Sequence, residues 1–139
     1  MKKVMTFGTF DIFHRGHLHF LQEANKLGDR LIVVIARDVN VKKIKGDGPV
    51  HQEEDRQDII SSLEVVDKAI LGNRENVYEV ISQVEPDVIA LGYDQTHFVE
   101  KLEDKLNQFN LTIEVKRLEP YNEEKYKSSK IKKELFKNG

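Results

Sequence analysis

The sequence predicts an α/β fold: a Rossmann-like, doubly wound parallel sheet of five strands with helices on both faces. Three observations predict it. Short apolar, β-branched runs alternate with longer helical segments, the pattern of parallel strands joined by helical crossovers. The run Arg30-Leu31-Ile32-Val33-Val34-Ile35-Ala36 is almost continuously apolar, as a strand covered on both faces must be. A glycine stands at the end of the first, third and fourth runs, as Gly8, Gly72 and Gly92.

The first strand is Lys3-Val4-Met5-Thr6-Phe7, and a helix over Leu18–Leu27 stops at Gly28. Arg30–Ala36 is the second strand. The segment Ala36 to Pro49 reads as a basic surface loop with the glycines and proline of a lid. Glu53 to Leu63 is the next helix, with Glu53, Glu54 and Asp55 in a first turn that suits the helix dipole. Lys68–Gly72 and Asp87–Gly92 are the third and fourth strands, and Glu75 to Val84 is the helix between them, ending before Pro86. His97 to Phe109 is a further helix. Thr112 to Leu118 alternates apolar with polar residues and reads as an edge strand. Ser128 and Ser129 begin a short helix with Ile131 and Leu135 on one face.

The chain has 139 residues, so the expectation is one domain spanning residues 1–139, without repeat, linker or low-complexity segment. Hydrophobic residues make up 39% and charged ones 33%, a globular and well-solvated composition. A net charge of −2 gives no global basic field, so neither nucleic acid nor a membrane surface is an expected partner. No apolar run approaches about 18 residues and no signal peptide opens the chain, so the expected location is the cytoplasm. The absence of cysteine excludes disulfides and thiol catalysis.

The chemistry concentrates in Gly8-Thr9-Phe10-Asp11-Ile12-Phe13-His14-Arg15-Gly16-His17. A turn from a strand into a helix presents free N–H groups and the positive end of the helix dipole, which together favour an anion. His14 and His17 lie three residues apart, on one face if the turn is already helical, and Gly16 lets a ligand approach the backbone. The plain alternative is a pair of half-exposed histidines capping a helix. A zinc pair is another, but His51 and His97 have no ligand spacing near them.

The whole string, in its strand-turn-helix setting, resembles the Gly-Thr-Phe-Asp…His-x-Gly-His signature of the cytidylyltransferase-like nucleotidyltransferase superfamily. The resemblance implies that the first strand is central and the fourth lies beside it. The turns after Gly8 and Gly92 would then flank the crevice where such sheets bind ligands. It also implies in-line attack of a substrate phosphate on the α-phosphate of a nucleoside triphosphate, releasing pyrophosphate, with catalysis by positioning and charge stabilisation. Within the superfamily, phosphopantetheine adenylyltransferases carry threonine where His14 stands. Glycerol-3-phosphate cytidylyltransferases match through the first 35 residues or so, then want a Gly-Asp-Asp-Trp-like turn and an Arg-Thr-x-Gly-Ile-Ser-Thr tail. The archaeal-type FAD synthases match nearly end to end, in Ala36-Arg37-Asp38, Lys42 to Gly46, Lys68 to Gly72, Leu91 to Gln95 and Ser128 to Ile131. The implied reaction is transfer of AMP from ATP to FMN. A cytidylyl transfer to glycerol 3-phosphate, or a non-catalytic nucleotide-binding module on the same fold, are the competing readings.

On this resemblance His14 and His17 are catalytic; of Lys42, Lys43 and Lys45, which the plain reading leaves as surface lysines, Lys42 and Lys45 are the choices to fold over the crevice and meet the phosphates. The nucleotide site takes Thr9, Phe10, Asp11, His14, Arg15, Gly16, His17, Arg56, Gly92, Asp94, Tyr121, Ser128 and Ser129. For Arg56, a phosphate-positioning role competes with a solvent-exposed partner of Glu53 one turn away. Asp11 either orients the histidines or approaches a metal, and Asp38 orders its loop. A divalent ion, most simply Mg²⁺, would be bound mainly through substrate phosphates, so no protein metal ligands are expected. Phe13, Tyr93, Phe98 and Tyr126 are candidates for a flavin slot. A homodimer is the implied assembly. Between Asn122 and Gly139, six lysines against three glutamates fit a phosphate-rich ligand.

Overall fold

A computed structural model of the chain describes residues 1–92, 95 and 99–119. The elements run β1 (Lys3–Gly8), α1 (Arg15–Asn25), β2 (Arg30–Ile35), α2 (Asp38–Lys45), α3 (Glu53–Ser61), β3 (Lys68–Leu71), α4 (Glu79–Val84), β4 (Val88–Leu91), a 3-10 turn (Val99–Lys101), α5 (Leu102–Gln108) and β5 (Glu114–Arg117). The five strands form one sheet in the order β3-β2-β1-β4-β5, and every neighbouring pair is parallel. This is the predicted architecture, with β1 central and β4 beside it.

Side chains alternate across the sheet and feed two cores. On one face Val4, Leu31, Val33, Val88 and Ala90 pack with Leu21 and Ala24 of α1 and Ile60 of α3. On the other, Met5, Phe7, Val34, Ile89 and Leu91 pack with Val80 and Ile81 of α4 and Leu102 and Leu106 of α5. Both faces are therefore covered, which is why the strands read as unbroken apolar runs. β5 lies at the sheet edge, as predicted, but all four of its residues are exposed, so its alternation buries no face within the strand.

Register is pinned at the N-terminal edge by aspartates. Asp87, just before β4, accepts the Lys3 N–H of β1 at 2.8 Å, and Asp67, before β3, accepts the Leu31 N–H of β2 at 2.7 Å. The opposite edge, where the strands end, carries the turn into α1 and the segment into α2.

One expectation fails here. The segment between Ala36 and Pro49 is not simply a loop but contains the helix α2. Asp38 in its first turn and Lys42, Lys43 and Lys45 in its last complement the dipole, and Val41 anchors it in the protein. It ends at Gly46, whose φ of 85° needs a glycine. Three other helices shift their starts. α5 begins at Leu102 rather than His97, behind the 3-10 turn Val99–Lys101 and with residues 97 and 98 outside the described ones. α1 begins at Arg15, three residues before the sequence suggests, because His14 caps it. α4 begins at Glu79, because the Asn76 side chain accepts the Tyr78 N–H and holds the preceding residues in a turn. No helix of the described residues is long and apolar enough to cross a membrane.

Candidate active site

The turn from β1 into α1 is strained and tightly held. Phe10 and Ile12 both have positive φ, 54° and 48°, a conformation that costs a non-glycine residue about 1–2 kcal/mol. Three contacts hold it there. The Phe10 ring is buried over Gly8, where a Cβ would lie 2.6 Å from it, so only glycine fits beneath. Asp11, also buried, accepts the N–H groups of Val50 and His51 at 2.7 and 2.9 Å. Arg56 donates to the Thr9 carbonyl at 2.8 Å.

The two histidines then cap one another. His14 is the N-cap of α1 and its Nδ1 accepts the Gly16 N–H at 3.1 Å, while His17 Nδ1 accepts the His14 N–H at 3.3 Å. This is a capping box in which imidazoles replace the usual hydroxyl and carboxylate. Their rings stack with centroids 3.9 Å apart, and His17 also meets Phe10 and Phe13 at 5.6 and 5.5 Å. Because both Nδ1 atoms accept, the proton of each neutral ring sits on Nε2. The capping reading and the ligand reading of the pair are thus compatible: Nδ1 serves the helix, and Nε2–H is the group offered to an anion.

Burial pushes the His17 pKa down to about 3, helped by His14 and Lys45 and opposed by Asp11. Burial lowers His14 as well. His17 is therefore neutral near pH 7. Its folded value lies below the ordinary 6.5, so the unfolded chain takes up the proton first. The stability this contributes is complete above pH 6.5 and is lost as pH falls toward 3, by an amount on the order of a few kcal/mol. Urea midpoints measured at intervals from pH 7.5 to 4.5 should decline more steeply for the wild type than for His17→Gln, which keeps a capping acceptor. Equal slopes would mean that His17 is not a buried neutral imidazole.

Around the turn, ionic contacts join the ends of three strands. Asp38 and Glu53 cap each other's helices: the Asp38 N–H donates to Glu53 at 2.9 Å and the Glu53 N–H to Asp38 at 3.2 Å. Arg37 pairs with Glu53 at 2.7 Å and donates to the Gly72 carbonyl beyond β3. Burial alone would raise the Glu53 carboxyl, but the Asp38 N–H and the Arg37 guanidinium outweigh it and hold the group ionised. Asp38 orders its segment, as expected. Arg56 is fully buried and pairs with Asp38 at 2.6 Å, so it is not an exposed partner of Glu53.

At the switch point, the Gln95 side chain accepts the Gly92 N–H at 2.6 Å and donates to the Phe7 carbonyl at 2.8 Å, bridging β4 to β1. Arg117 of β5 donates to the carbonyls of Gly92 and Gln95 at 2.7 and 3.2 Å. The sequence gives no local sign of either bridge, since the partners come from different strands.

Among the predicted site residues, Thr9, Phe10, Asp11, His14, Gly16 and His17 are brought together, with Arg56 behind the turn. Arg15 is exposed on the first turn of α1. Lys45 lies near enough for its charge to act on His17. Lys42 is exposed on the same helix. Gly92 stands at the end of β4. Asp94, Tyr121, Ser128 and Ser129 lie outside the described residues, as do Tyr93, Phe98 and Tyr126. Among the described residues no group of three or more His, Cys, Asp or Glu side chains is placed to hold a metal ion.

A histidine-bearing turn at the switch point of a parallel 3-2-1-4-5 sheet stands where such folds bind ligands. The sequence model of the cytidylyltransferase-like family matches residues 5–134. The chain belongs to that family. It is 40% identical over 136 residues to the FAD synthase of Thermoplasma volcanium, covering 98% of this chain and 95% of that one. It is 49% identical over 119 residues to the FAD synthase of Ferroglobus placidus, covering 85% and 76%. Among solved structures, a lipopolysaccharide core biosynthesis protein from Thermoplasma volcanium superposes with a TM-score of 0.80 at 43% identity, covering 87% of this chain and 98% of that one. A pantoate-beta-alanine ligase from Francisella tularensis, at 14% identity and a TM-score of 0.59 over 94% of this chain and 68% of its own, shares the fold.

Proposed function

We propose that this protein is an FAD synthase, transferring AMP from ATP to the phosphate of FMN and releasing pyrophosphate. The observation that carries the substrates is its likeness, over most of its length, to curated FAD synthases at 40% and 49% identity. The geometry of the histidine turn supports the chemistry. In this reading the FMN phosphate attacks the α-phosphorus of ATP in line, and the protein supplies position and charge rather than a covalent intermediate. The Nε2–H groups of His14 and His17 donate to α- and β-phosphate oxygens, where negative charge grows on the way to pyrophosphate. Gly16 keeps the helix start open to the phosphates, while Thr9 and Phe10 contribute backbone contacts.

Lys45, at the end of α2, neutralises the same oxygens, and Lys42 assists from the same helix. By the same family resemblance Gly92 belongs to the nucleotide site, and four residues outside the described ones are assigned to the nucleotide as well: Asp94 to the ribose or base, Tyr121 to the same pocket, and Ser128 and Ser129 to the triphosphate. A divalent ion, most simply Mg²⁺, would be held mainly by substrate phosphates and water and would supply neutralising charge. Asp11 gives both carboxylate oxygens to the Val50 and His51 N–H groups, which fits an ion held through phosphate and water. The working form is a cytoplasmic homodimer of single-domain chains.

The test is a matrix of ATP or CTP against FMN or glycerol 3-phosphate with Mg²⁺, following pyrophosphate and product. FAD is expected from ATP and FMN alone. CDP-glycerol would move the assignment to cytidylyl transfer and leave the histidine chemistry standing; no product, with ATP still bound, would indicate a binding module.

A further inference from the structure

Arg56 is a fully buried arginine behind the catalytic turn, and each nitrogen of its guanidinium has a protein partner. Nε donates to the His51 carbonyl at 3.0 Å, Nη1 to the Thr9 carbonyl at 2.8 Å and Nη2 to Asp38 at 2.6 Å. These partners belong to three different segments: the turn after β1, the start of α2 after β2, and the loop entering α3. The planar fork of arginine reaches all three at once, which a lysine ammonium on its flexible stem does not reproduce.

The Thr9 carbonyl matters most, because it immediately precedes Phe10 and the left-handed stretch of the turn. A backbone held in such a conformation persists only where its surroundings over-determine it. Here Arg56 grips the chain at Thr9, and Asp11 grips the Val50 and His51 N–H groups from the other side. The backbone of His51 is thus held on both sides, by Asp11 at its N–H and by Arg56 at its carbonyl. Downstream of Phe10, whose ring packs edge-on against His17, comes the histidine capping box. Any slackening at Thr9 is passed through Phe10 to the imidazoles.

We propose that Arg56 is a positioning residue: it locks the strained turn that orients His14 and His17 and ties it to α2 and α3, and it does not bind phosphate. The proposal rests on the reading of this turn as the phosphate site. It assigns Arg56 a contribution to kcat rather than to nucleotide affinity, since a misplacement of about 1 Å costs on the order of 100-fold in rate. Asp38, as its ionic partner, acts in the same way.

The experiment compares the full-length wild type with Arg56→Lys, Arg56→Met and Asp38→Asn. It measures steady-state FAD synthesis, ATP binding by calorimetry, and imidazole tautomers by two-bond proton–nitrogen correlation spectra. The expected result for Arg56→Lys is a fall in kcat of about 100-fold with ATP affinity within about threefold of wild type. His14 and His17 should change from the single Nε2–H form to mixed tautomers. Arg56→Met removes a buried charge and leaves Asp38 without its partner. If it does not fold, Arg56→Lys and Asp38→Asn carry the test, the latter altering a half-exposed side chain. A loss of ATP affinity of about tenfold or more with unchanged tautomers would make Arg56 a phosphate ligand and overturn the proposal. A lower melting temperature with unchanged kcat and tautomers would overturn it too. Were the wild type inactive with ATP and FMN, the proposed reaction would fail, while the imidazole spectra would still decide the role of Arg56.

Discussion

A His17→Glu protein is expected to stay folded while losing FAD formation by about 1,000-fold. Two roles meet in His17, and this substitution separates them. As the third helical residue of α1, His17 accepts the His14 N–H at 3.3 Å, a place where glutamate is the common capping-box residue. Glutamate also gains from the helix dipole. It has no donor for a phosphate oxygen, however, and brings a negative charge toward the triphosphate. His17→Ala makes the contrast complete. It loses the same donor and the capping acceptor as well, and should be less stable than His17→Glu by about 1 kcal/mol. Both variants also give up the ring contacts with Phe10 and Phe13. The prediction is therefore a large loss of turnover in both variants, at least as large in His17→Glu, with the larger loss of stability in His17→Ala, measured by FAD formation and by thermal melting. An alanine variant within about tenfold of wild-type turnover would reduce His17 to a capping residue.

Lys45→Ala is expected to lower kcat by about 100-fold, and Lys42→Ala by less than about tenfold. On α2 the buried side is marked by Val41, and Lys45 follows it by four residues, about 40° further round the helix. Lys42 lies about 100° round and Lys43 about 200°. Lys45 alone of the three adds its charge to the forces that hold His17 neutral. A second readout follows from that. Removing a like charge eases protonation of His17, so its titration should move upward in Lys45→Ala and stay in place in Lys42→Ala. An equal or larger loss of kcat in Lys42→Ala would transfer the role to that lysine.

Much of this architecture was legible because parallel strands buried on both faces leave unbroken apolar runs. The segment around α2 was not legible, for an equally physical reason. It carries three lysines and one buried side chain, Val41, so no amphipathic stripe marks it. What stabilises its start is a contact with a different helix, the exchange of N–H groups between Asp38 and Glu53, 15 residues apart. Glu53 itself reads as an ordinary first-turn acid, yet it is buried between Arg37 and the Asp38 N–H. The histidine turn was legible as a motif, but the mutual capping that fixes its tautomers was not, since ring orientation depends on the folded turn. Arg56 is not the solvent-exposed partner of Glu53 that one reading of the sequence offered. Its partner Thr9 lies 47 residues away, and nothing in its own helix forecasts complete burial.

The sequence by itself determined the alternation of strand and helix, the glycines that close the first, third and fourth strands, and the residues of the histidine turn. Those features depend on local periodicity, backbone freedom and residue type, all of which are written within a few positions of one another. The tertiary structure decided the charge state of His17, the burial of Arg56, the bridge from Gln95 to β1, and the joining of three strand ends around one turn. Desolvation and long-range hydrogen bonds set these, and both exist only once distant segments are brought together.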